Sequence, residues 1–343
     1  MTEINGDLCF KSLIKNQEKK LAYNPANDYA KWKSQIKNKF FELIGMDSVI
    51  ANACPINVSV EEVVDMGSYT RTRFVFESEV GSFVPCYLCV PKGEKKYPLA
   101  IALQGHSSGF HNTIGVQKFE GDEHFSNLDF AVQAVNNGYA CLAIEQRAMG
   151  ERYTNVHDKC SARMCTFLAF AAIELGRTVL AERMWDVSKA IDAMEFFKDQ
   201  IDLDKIFLMG ISGGGTATFY TACFDDRIKL AVPGYAFCTY EDSIMAMYHC
   251  PCNMIPSAMR YFEMGDLACL LNGKPVLFIA GNKDYLFPPK GVEKAFATAK
   301  AIYKAEGVED KCRLLFTEQG HNWGGDAEWS AINEEIKKLG WEV

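Results

Sequence analysis

Residues 205–214, Lys-Ile-Phe-Leu-Met-Gly-Ile-Ser-Gly-Gly, decide the fold of this chain. The first five are largely apolar, as expected of a short buried strand, and residues 216–222 have the composition of a helix. Between them lies Gly210-Ile211-Ser212-Gly213-Gly214, a G-x-S-x-G sequence. Glycines two before and two after the serine allow the strand and the helix to approach closely around a sharp turn. The pattern predicts that Ser212 lies on such a turn as a nucleophile.

A serine nucleophile needs a base and a group that orients the base, and both residue types follow later strands. Asp284 comes shortly after the apolar run 276–280, and His321 follows the run that ends at Phe316. The carboxyl ends of parallel strands meet at one edge of a sheet. Taken alone, Asp284 also fits a turn residue and His321 a surface histidine. Together with Ser212 they predict a catalytic triad.

The wider chain alternates short apolar runs with helical stretches. The runs are 99–103, 139–144, 206–209, 230–232, 276–280 and 314–316, and the clearest helical stretches are 182–197 and 291–306. Buried strands that alternate with helices indicate a mostly parallel sheet covered on both faces. The predicted fold class is therefore α/β, a doubly wound sheet.

Upstream residues add to this sheet. Residues 28–46 have apolar positions at helical spacing, and residues 69–77 and 82–90 predict an antiparallel hairpin. Long stretches at 106–129 and 235–271 are predicted to be lid insertions. We predict an N-terminal helical extension, residues 1–66, and a catalytic domain, residues 67–343.

The composition excludes several function classes. The chain has 343 residues, 36 Lys and Arg against 44 Asp and Glu, and no basic block, which argues against nucleic acid as a partner. No signal peptide is recognisable, and the apolar run 167–173 is too short to span a membrane. Most of the 13 cysteines are interpreted as reduced, buried residues of a cytoplasmic protein. The expected partner is a small molecule, and a homo-oligomer stays open.

An ester or amide hydrolase also needs donors for the oxyanion of its tetrahedral intermediate. One predicted donor is the backbone N–H of Gly213, the residue after the nucleophile, and the other is that of His106 in the loop after the first parallel strand. Gly105 gives this loop the freedom to turn. The imidazole of His106 is an alternative base, but no carboxylate follows it at triad spacing.

These motifs resemble the α/β-hydrolase superfamily, in particular its acetyl xylan esterase-like and dienelactone hydrolase-like branch. The resemblance extends from residue 97 to residue 323 and rests on residues 104–109, 145–152, 185–186 and 249–253 besides the triad. It implies a serine carboxylic-ester hydrolase that acts on acylated carbohydrates without a cofactor. The chain departs from the branch in having Gln104-Gly105 instead of His-Gly, and in having Ser212 instead of the cysteine of dienelactone hydrolases.

Other motifs are predicted to be structural. His249-Cys250-Pro251-Cys252 has two zinc-binding residue types, but the spacing is tight and no second pair follows, so we expect no metal. Neither a dinucleotide fingerprint with its acidic partner nor a P-loop is present, so we expect no cofactor.

Side chains near the predicted site have two interpretations. Phe110, Tyr153 and Trp323 are candidates for a substrate pocket, although aromatic residues near a site more often serve packing. Charged residues after the strand 139–144 and in the helix 182–197 are predicted to form a buried ion-pair network; they are Arg147, Glu151, Arg152, Arg183 and Asp186.

The function expected from the sequence is hydrolysis of short-chain, acetyl-type esters through an acyl-enzyme. A peptidase or amidase of the same fold is the nearest alternative, because the two reactions share acyl-transfer chemistry. A non-catalytic binding protein on a hydrolase scaffold is a second alternative, and a redox or metal function of the cysteines is a third.

Overall fold

The structure, a computed structural model, describes residues 6–118, 127–153 and 161–342, and only the backbone of residues 161–164. Residues 119–126 of the first predicted lid insertion lie outside the described residues.

Among the described residues, strands form a nine-stranded sheet with the order β1-β2-β3-β5-β4-β6-β7-β8-β9. The strands are β1 (Val58–Asp65), β2 (Tyr69–Glu79), β3 (Ser82–Pro91), β4 (Tyr97–Leu103), β5 (Ala140–Ile144), β6 (Ile201–Ile211), β7 (Ile228–Gly234), β8 (Val276–Gly281) and β9 (Cys312–Thr317). The pairs β1–β2, β2–β3 and β3–β5 are antiparallel. From β5 across to β9 all neighbours are parallel. The predicted doubly wound, mostly parallel sheet is therefore confirmed.

Helices cover both faces of this sheet. The α-helices are α1 (Leu8–Asn16), α2 (Tyr29–Ile44), α3 (Met46–Ala51), α4 (Phe130–Asn136), α5 (Ser161–Glu174), α6 (Val179–Ala193), α7 (Gly213–Ala222), α8 (Pro289–Ala305) and α9 (Asp326–Lys338). The short 3-10 helices are Phe110–Ile114, Gly150–Arg152, Met194–Phe197, Pro251–Asn253, Ala258–Arg260, Met264–Leu271 and Glu309–Lys311.

The core consists of two large apolar clusters. The first contains buried side chains of α2, α6, α7 and α8, and the second those of α4 and α9. Cys86 belongs to the first cluster and Cys89 to the second, although both lie on β3. Because side chains alternate along a strand, residues three apart face opposite sides of the sheet.

The N-terminal half follows its sequence signals closely. Asp28 caps α2 by accepting a hydrogen bond from the Lys31 N–H, and Gly45 ends the helix at a φ of 69°. The predicted hairpin is the β2–β3 pair. Residues 1–66 were predicted to be a helical extension, but this stretch also contains the strand β1. The residues of β1 are extended because they pair with β2. The division into domains stays a prediction.

The described residues include no helix with both the length and the apolar character needed to cross a membrane.

Candidate active site

Ser212 lies in the turn between β6 and α7. Its backbone has φ 55° and ψ −121°, a combination that non-glycine residues rarely adopt. Two backbone hydrogen bonds hold this turn: the Ser212 N–H donates to the Gly234 carbonyl at 3.0 Å, and the Ser212 carbonyl accepts from the Thr216 N–H at 2.8 Å. Strain that the surrounding backbone holds in place is characteristic of functional positions.

The flanking glycines have a steric cause. A Cβ on Gly214 would lie 2.1 Å from the Leu103 carbonyl oxygen, and one on Gly210 would lie 2.6 Å from the Gly214 backbone. The helix therefore crosses β4 and β6 too closely for any larger residue at these two positions.

Asp284 and His321 are brought together at the same edge of the sheet, after β8 and β9. His321 Nδ1 lies 2.8 Å from Asp284 Oδ2. The second carboxylate oxygen of Asp284 accepts the backbone N–H groups of Leu286 at 2.8 Å and Phe287 at 3.2 Å. Because both oxygens have fixed partners, the carboxylate holds the imidazole in one orientation.

The other nitrogen of this imidazole, His321 Nε2, is buried and has no hydrogen-bond partner among the described residues. The ring stacks on Phe287 at 5.7 Å and meets Tyr235 edge-on at 6.2 Å between centroids. Tyr235 directly follows Gly234, which binds Ser212. Within the described residues no hydrogen bond joins Ser212 Oγ to His321, a contact that often tightens only when substrate binds.

Both predicted oxyanion donors lie beside Ser212. Gly213 is the first residue of α7, and its N–H has no acceptor among the described residues; nor has the N–H of His106. A Cβ on Gly105 would lie 3.2 Å from the Ser212 Cβ. The loop after β4 therefore runs directly along the serine turn.

A buried carboxylate, Glu145, holds this loop in place, and sequence reasoning did not identify it. It accepts hydrogen bonds from the Gln104 side chain at 2.9 Å and from the backbone N–H groups of Phe110 and Glu151. Burial raises the pKa of Glu145 from 4.5 to about 7. Glu145 is the first residue of the stretch 145–152 that carries the resemblance, but no function was predicted for it; its place directly after a predicted buried strand was a usable signal.

Glu328 supports the histidine loop in the same way, and it was also missed. Its carboxylate accepts the Tyr235 hydroxyl at 2.8 Å and the Gly324 N–H at 2.8 Å. Glu328 lies 116 residues beyond Ser212 on α9, and no local pattern connects the two.

The predicted ion-pair network is present for three of its five members and fails for the other two. Asp186 binds Arg147 at 2.7 Å and Arg152 at 2.6 Å. Although burial alone would raise the pKa of Asp186, the two guanidinium groups lower it to about 2. Glu151 pairs with Arg73 instead. Arg183 has no carboxylate partner in the described part of the chain, so its assignment to the network was wrong.

Two of the three pocket candidates are corrected. Phe110 and Trp323 are fully buried, Phe110 stacked on Tyr87 and Trp323 packed edge-on against Phe130. Neither side chain therefore lines an open pocket in this conformation. Tyr153 is partly buried and packs against an apolar cluster that contains three cysteines, one of them Cys165.

These cysteines form the group in the described residues that could hold a metal ion. His106 Nε2 and the sulfur atoms of Cys165, Cys250 and Cys252 all lie within 4.8 Å of one another. His249, the histidine next to the Cys-Pro-Cys sequence, is outside the group and contacts Ser243 Oγ at 3.2 Å. The sequence argument against metal assumed ligands close together in the chain, whereas the fold brings two of the four from elsewhere.

Comparisons with known proteins agree with this architecture. A family model described as "Abhydrolase family" matches residues 6–324. A Bacillus subtilis (strain 168) protein assigned as a hydrolase, YtaP, is 23% identical over 295 residues, which cover 84% of this chain and 94% of that protein.

Solved structures share the fold at low sequence identity. A Bacteroides fragilis protein assigned as an acetyl xylan esterase has a TM-score of 0.75 at 14% identity, and the match covers 98% of this chain and 96% of the other. A glucuronoyl esterase from Solibacter usitatus has a TM-score of 0.67 at 16% identity, over 92% of this chain and 96% of the other. Together with the strand order, these matches confirm the predicted fold class.

Proposed function

The chain belongs to the Abhydrolase family, as its resemblance indicated, and from this premise we propose that it is a serine carboxylic-ester hydrolase with Ser212 as nucleophile. One observation carries the proposal: Asp284 holds Nδ1 of His321, while Nε2 of the same ring has no partner among the described residues. An imidazole held in this way presents its free nitrogen as a base.

The proposed reaction begins with attack of Ser212 Oγ on the ester carbonyl. His321 Nε2 takes the hydroxyl proton, and Asp284 stabilises the imidazolium that results. When the tetrahedral intermediate collapses, His321 returns the proton to the leaving alcohol and an acyl-enzyme remains. Water then attacks the acyl group with His321 as base, the bond between the acyl carbon and Ser212 Oγ breaks, and His321 returns the proton to Ser212 as the acid leaves.

The N–H groups of Gly213 and His106 are the proposed donors to the oxyanion. Both amides lack an acceptor among the described residues. They can therefore bind an oxyanion without breaking a hydrogen bond that is already present. Gly213 is also the first residue of α7, where the positive end of the helix dipole favours an anion. Each donor of this kind contributes roughly 10²-fold or more to the rate constant.

Short-chain acyl groups on carbohydrates are the substrates to test first. Proteins with this fold include one that is assigned as an acetyl xylan esterase and one that is named a glucuronoyl esterase. Both names refer to esters of carbohydrates. Burial of Phe110 and Trp323 leaves neither ring exposed for stacking on a sugar, so we expect the lid stretch 235–271 to contribute more to substrate selection.

Steady-state turnover of an aryl acetate and of an acetylated oligosaccharide tests the proposal. We expect Ser212→Ala to lower kcat at least about 10⁴-fold. The matched control is Ser48→Ala, an exposed serine on α3, which should match wild type. Turnover of the corresponding anilide but not of the esters would instead support an amidase. Undiminished ester turnover by Ser212→Ala would contradict the proposal.

A further inference from the structure

Four side chains from three separated parts of the chain converge beside the serine turn. His106 lies in the loop after β4, Cys165 on α5, and Cys250 and Cys252 flank Pro251 at a 3-10 turn. The three cysteines are buried and His106 is half-buried. His106 Nε2 lies 3.2 Å from Cys252 Sγ and 3.6 Å from Cys165 Sγ.

This spacing matches a tetrahedral metal site. Zinc bonds of about 2.3 Å to sulfur and 2.0 to 2.1 Å to nitrogen place neighbouring ligand atoms about 3.5 to 3.8 Å apart. The four ligand atoms lie within 4.8 Å of one another, so small side-chain rotations bring them to that geometry. We propose that His106, Cys165, Cys250 and Cys252 bind one zinc ion, a site with three thiolates and one imidazole.

The charge around the cluster supports this ligand set. Arg183 is 2% exposed, and its guanidinium contacts Cys165 Sγ at 3.3 Å and the Arg147 carbonyl at 2.9 Å. No carboxylate pairs with it among the described residues. A buried cation needs a counter-charge, and within the described residues the acidic group that this guanidinium contacts is the Cys165 thiol. Three thiolates on Zn²⁺ carry a net charge of −1, which Arg183 neutralises.

The site has the character of a structural zinc centre. Four protein ligands complete the tetrahedron and leave no position for a reacting water, in contrast to catalytic zinc. The Cys165 thiol also faces the carbonyl of Ala148 at 3.9 Å, and Ala148 is a buried residue with φ 69°. Since thiolates are the ligands, binding would release to solvent any protons that the three cysteines still carry.

The zinc ion would connect the loop after β4, which carries the proposed oxyanion donor His106, to the predicted lid stretch 235–271. His106 is the ligand from that loop, and Cys250 and Cys252 come from the 235–271 stretch. On its other side the His106 ring lies against the serine turn, because a Cβ on Gly213 would be 2.9 Å from His106 Nδ1. A zinc ion on the His106 imidazole would therefore position the backbone N–H of the same residue. This positioning effect rests on the proposed function, but the zinc-binding proposal does not.

Metal analysis of untagged protein, purified without chelator, tests the site. We expect about one zinc per chain in wild type and less than about a fifth of that in Cys252→Ala and Cys250→Ala. The matched control is Cys223→Ala, a buried cysteine outside the four-residue group whose thiol donates to the Leu267 carbonyl; it should retain the full amount. Wild type that holds less than about a tenth of an equivalent after incubation with zinc would overturn the proposal.

A spectroscopic measurement on wild type keeps the proposal falsifiable if the variants do not fold. X-ray absorption at the zinc edge should show three sulfur neighbours at about 2.3 Å and one nitrogen at 2.0 to 2.1 Å. Only nitrogen and oxygen neighbours would overturn it. A chain two hydrogen masses lighter than the reduced chain, with a mapped disulfide between two of these cysteines, would also overturn it.

Failure of the zinc site and failure of the hydrolase proposal give different results. If the protein binds no zinc but Ser212 still turns over esters, the zinc proposal alone is refuted. If the protein binds zinc but Ser212 is inert, the hydrolase proposal alone is refuted. If both hold, removal of zinc should lower kcat more than it raises KM, and added cobalt should restore turnover with the absorption of tetrahedral thiolate-bound cobalt.

Discussion

Asp284 has two tasks at the residue scale. One oxygen holds His321 Nδ1, and the other binds the backbone N–H groups of Leu286 and Phe287. The backbone N–H groups therefore fix the carboxylate independently of the imidazole. A substitution that keeps the shape of the side chain changes only the tautomer of the imidazole.

Asp284→Asn should lower kcat roughly 10³- to 10⁴-fold with little change in KM, because an amide that donates to Nδ1 leaves the proton on the wrong nitrogen. Steady-state ester hydrolysis measures the effect. Asp310→Asn, on an exposed 3-10 turn, is the control and should match wild type. A kcat for Asp284→Asn within about threefold of wild type would show that His321 is not oriented by this carboxylate.

Gly150 and Gly176 separate backbone strain from steric clash. Both have positive φ, 46° and 72°, but a Cβ on Gly150 would lie 1.9 Å from Glu145 Oε2, whereas one on Gly176 would meet nothing within 4 Å. Gly176→Ala should lower the free energy of unfolding by about 1 to 2 kcal/mol, and Gly150→Ala by at least about 2 kcal/mol more. Equal urea midpoints for the two variants would contradict this packing around Glu145.

At the scale of elements, buried ion pairs join the hairpin, the loop after β5 and α6. Asp186 on α6 binds Arg147 and Arg152 from that loop and accepts the Ser78 hydroxyl of β2 at 2.6 Å. Arg147 also binds Glu79 on β2. Both carboxylates are buried and the two guanidinium groups are largely shielded from solvent, so the loss of a carboxylate leaves charge without compensation.

Asp186→Asn should lower the free energy of unfolding by about 3 to 5 kcal/mol, since it leaves two largely shielded guanidinium groups short of a partner. Denaturant unfolding measures this loss. The control is Glu42→Gln, which breaks the exposed pair with Lys39 and should cost far less stability than Asp186→Asn, because solvent screens an exposed pair. Similar small losses in both variants would mean that the network does not join these elements.

At the scale of the whole molecule, stability should depend on the protonation of Glu145. Its pKa is raised by burial from 4.5 to about 7 in the folded chain. The folded state therefore holds the proton more tightly, and this contribution to stability is present below about pH 4.5 and is lost as pH rises through about 7. The shift corresponds to about 3 kcal/mol.

Glu145→Gln tests this pH dependence. Between about pH 4.5 and pH 8, the unfolding free energy of wild type should fall relative to that of Glu145→Gln by about 3 kcal/mol. Glu94→Gln, an exposed position, should follow wild type. Parallel curves for wild type and Glu145→Gln would show that Glu145 ionises in the folded chain as it does in the unfolded one.

The features that the sequence predicted are those with a local or periodic signature. The turn at Ser212 follows from its glycines, and Asp284 and His321 follow from the ends of buried strands. The pairing of His106 with Cys165, Cys250 and Cys252 depends on contacts over 59 and 146 residues, which no spacing rule reaches. The prediction that Trp323 lines the substrate pocket was wrong, because its distance from His321 along the chain does not give the direction of its side chain.

The measurement that tests the central claim most directly is the intact mass of the chain after treatment with a fluorophosphonate probe. An activated Ser212 predicts a single adduct on wild type and on Ser48→Ala, none on Ser212→Ala, and a modified peptide that contains Ser212. Folded wild-type protein that stays unlabelled, or an adduct that persists on Ser212→Ala, would contradict the assignment of Ser212 as the nucleophile.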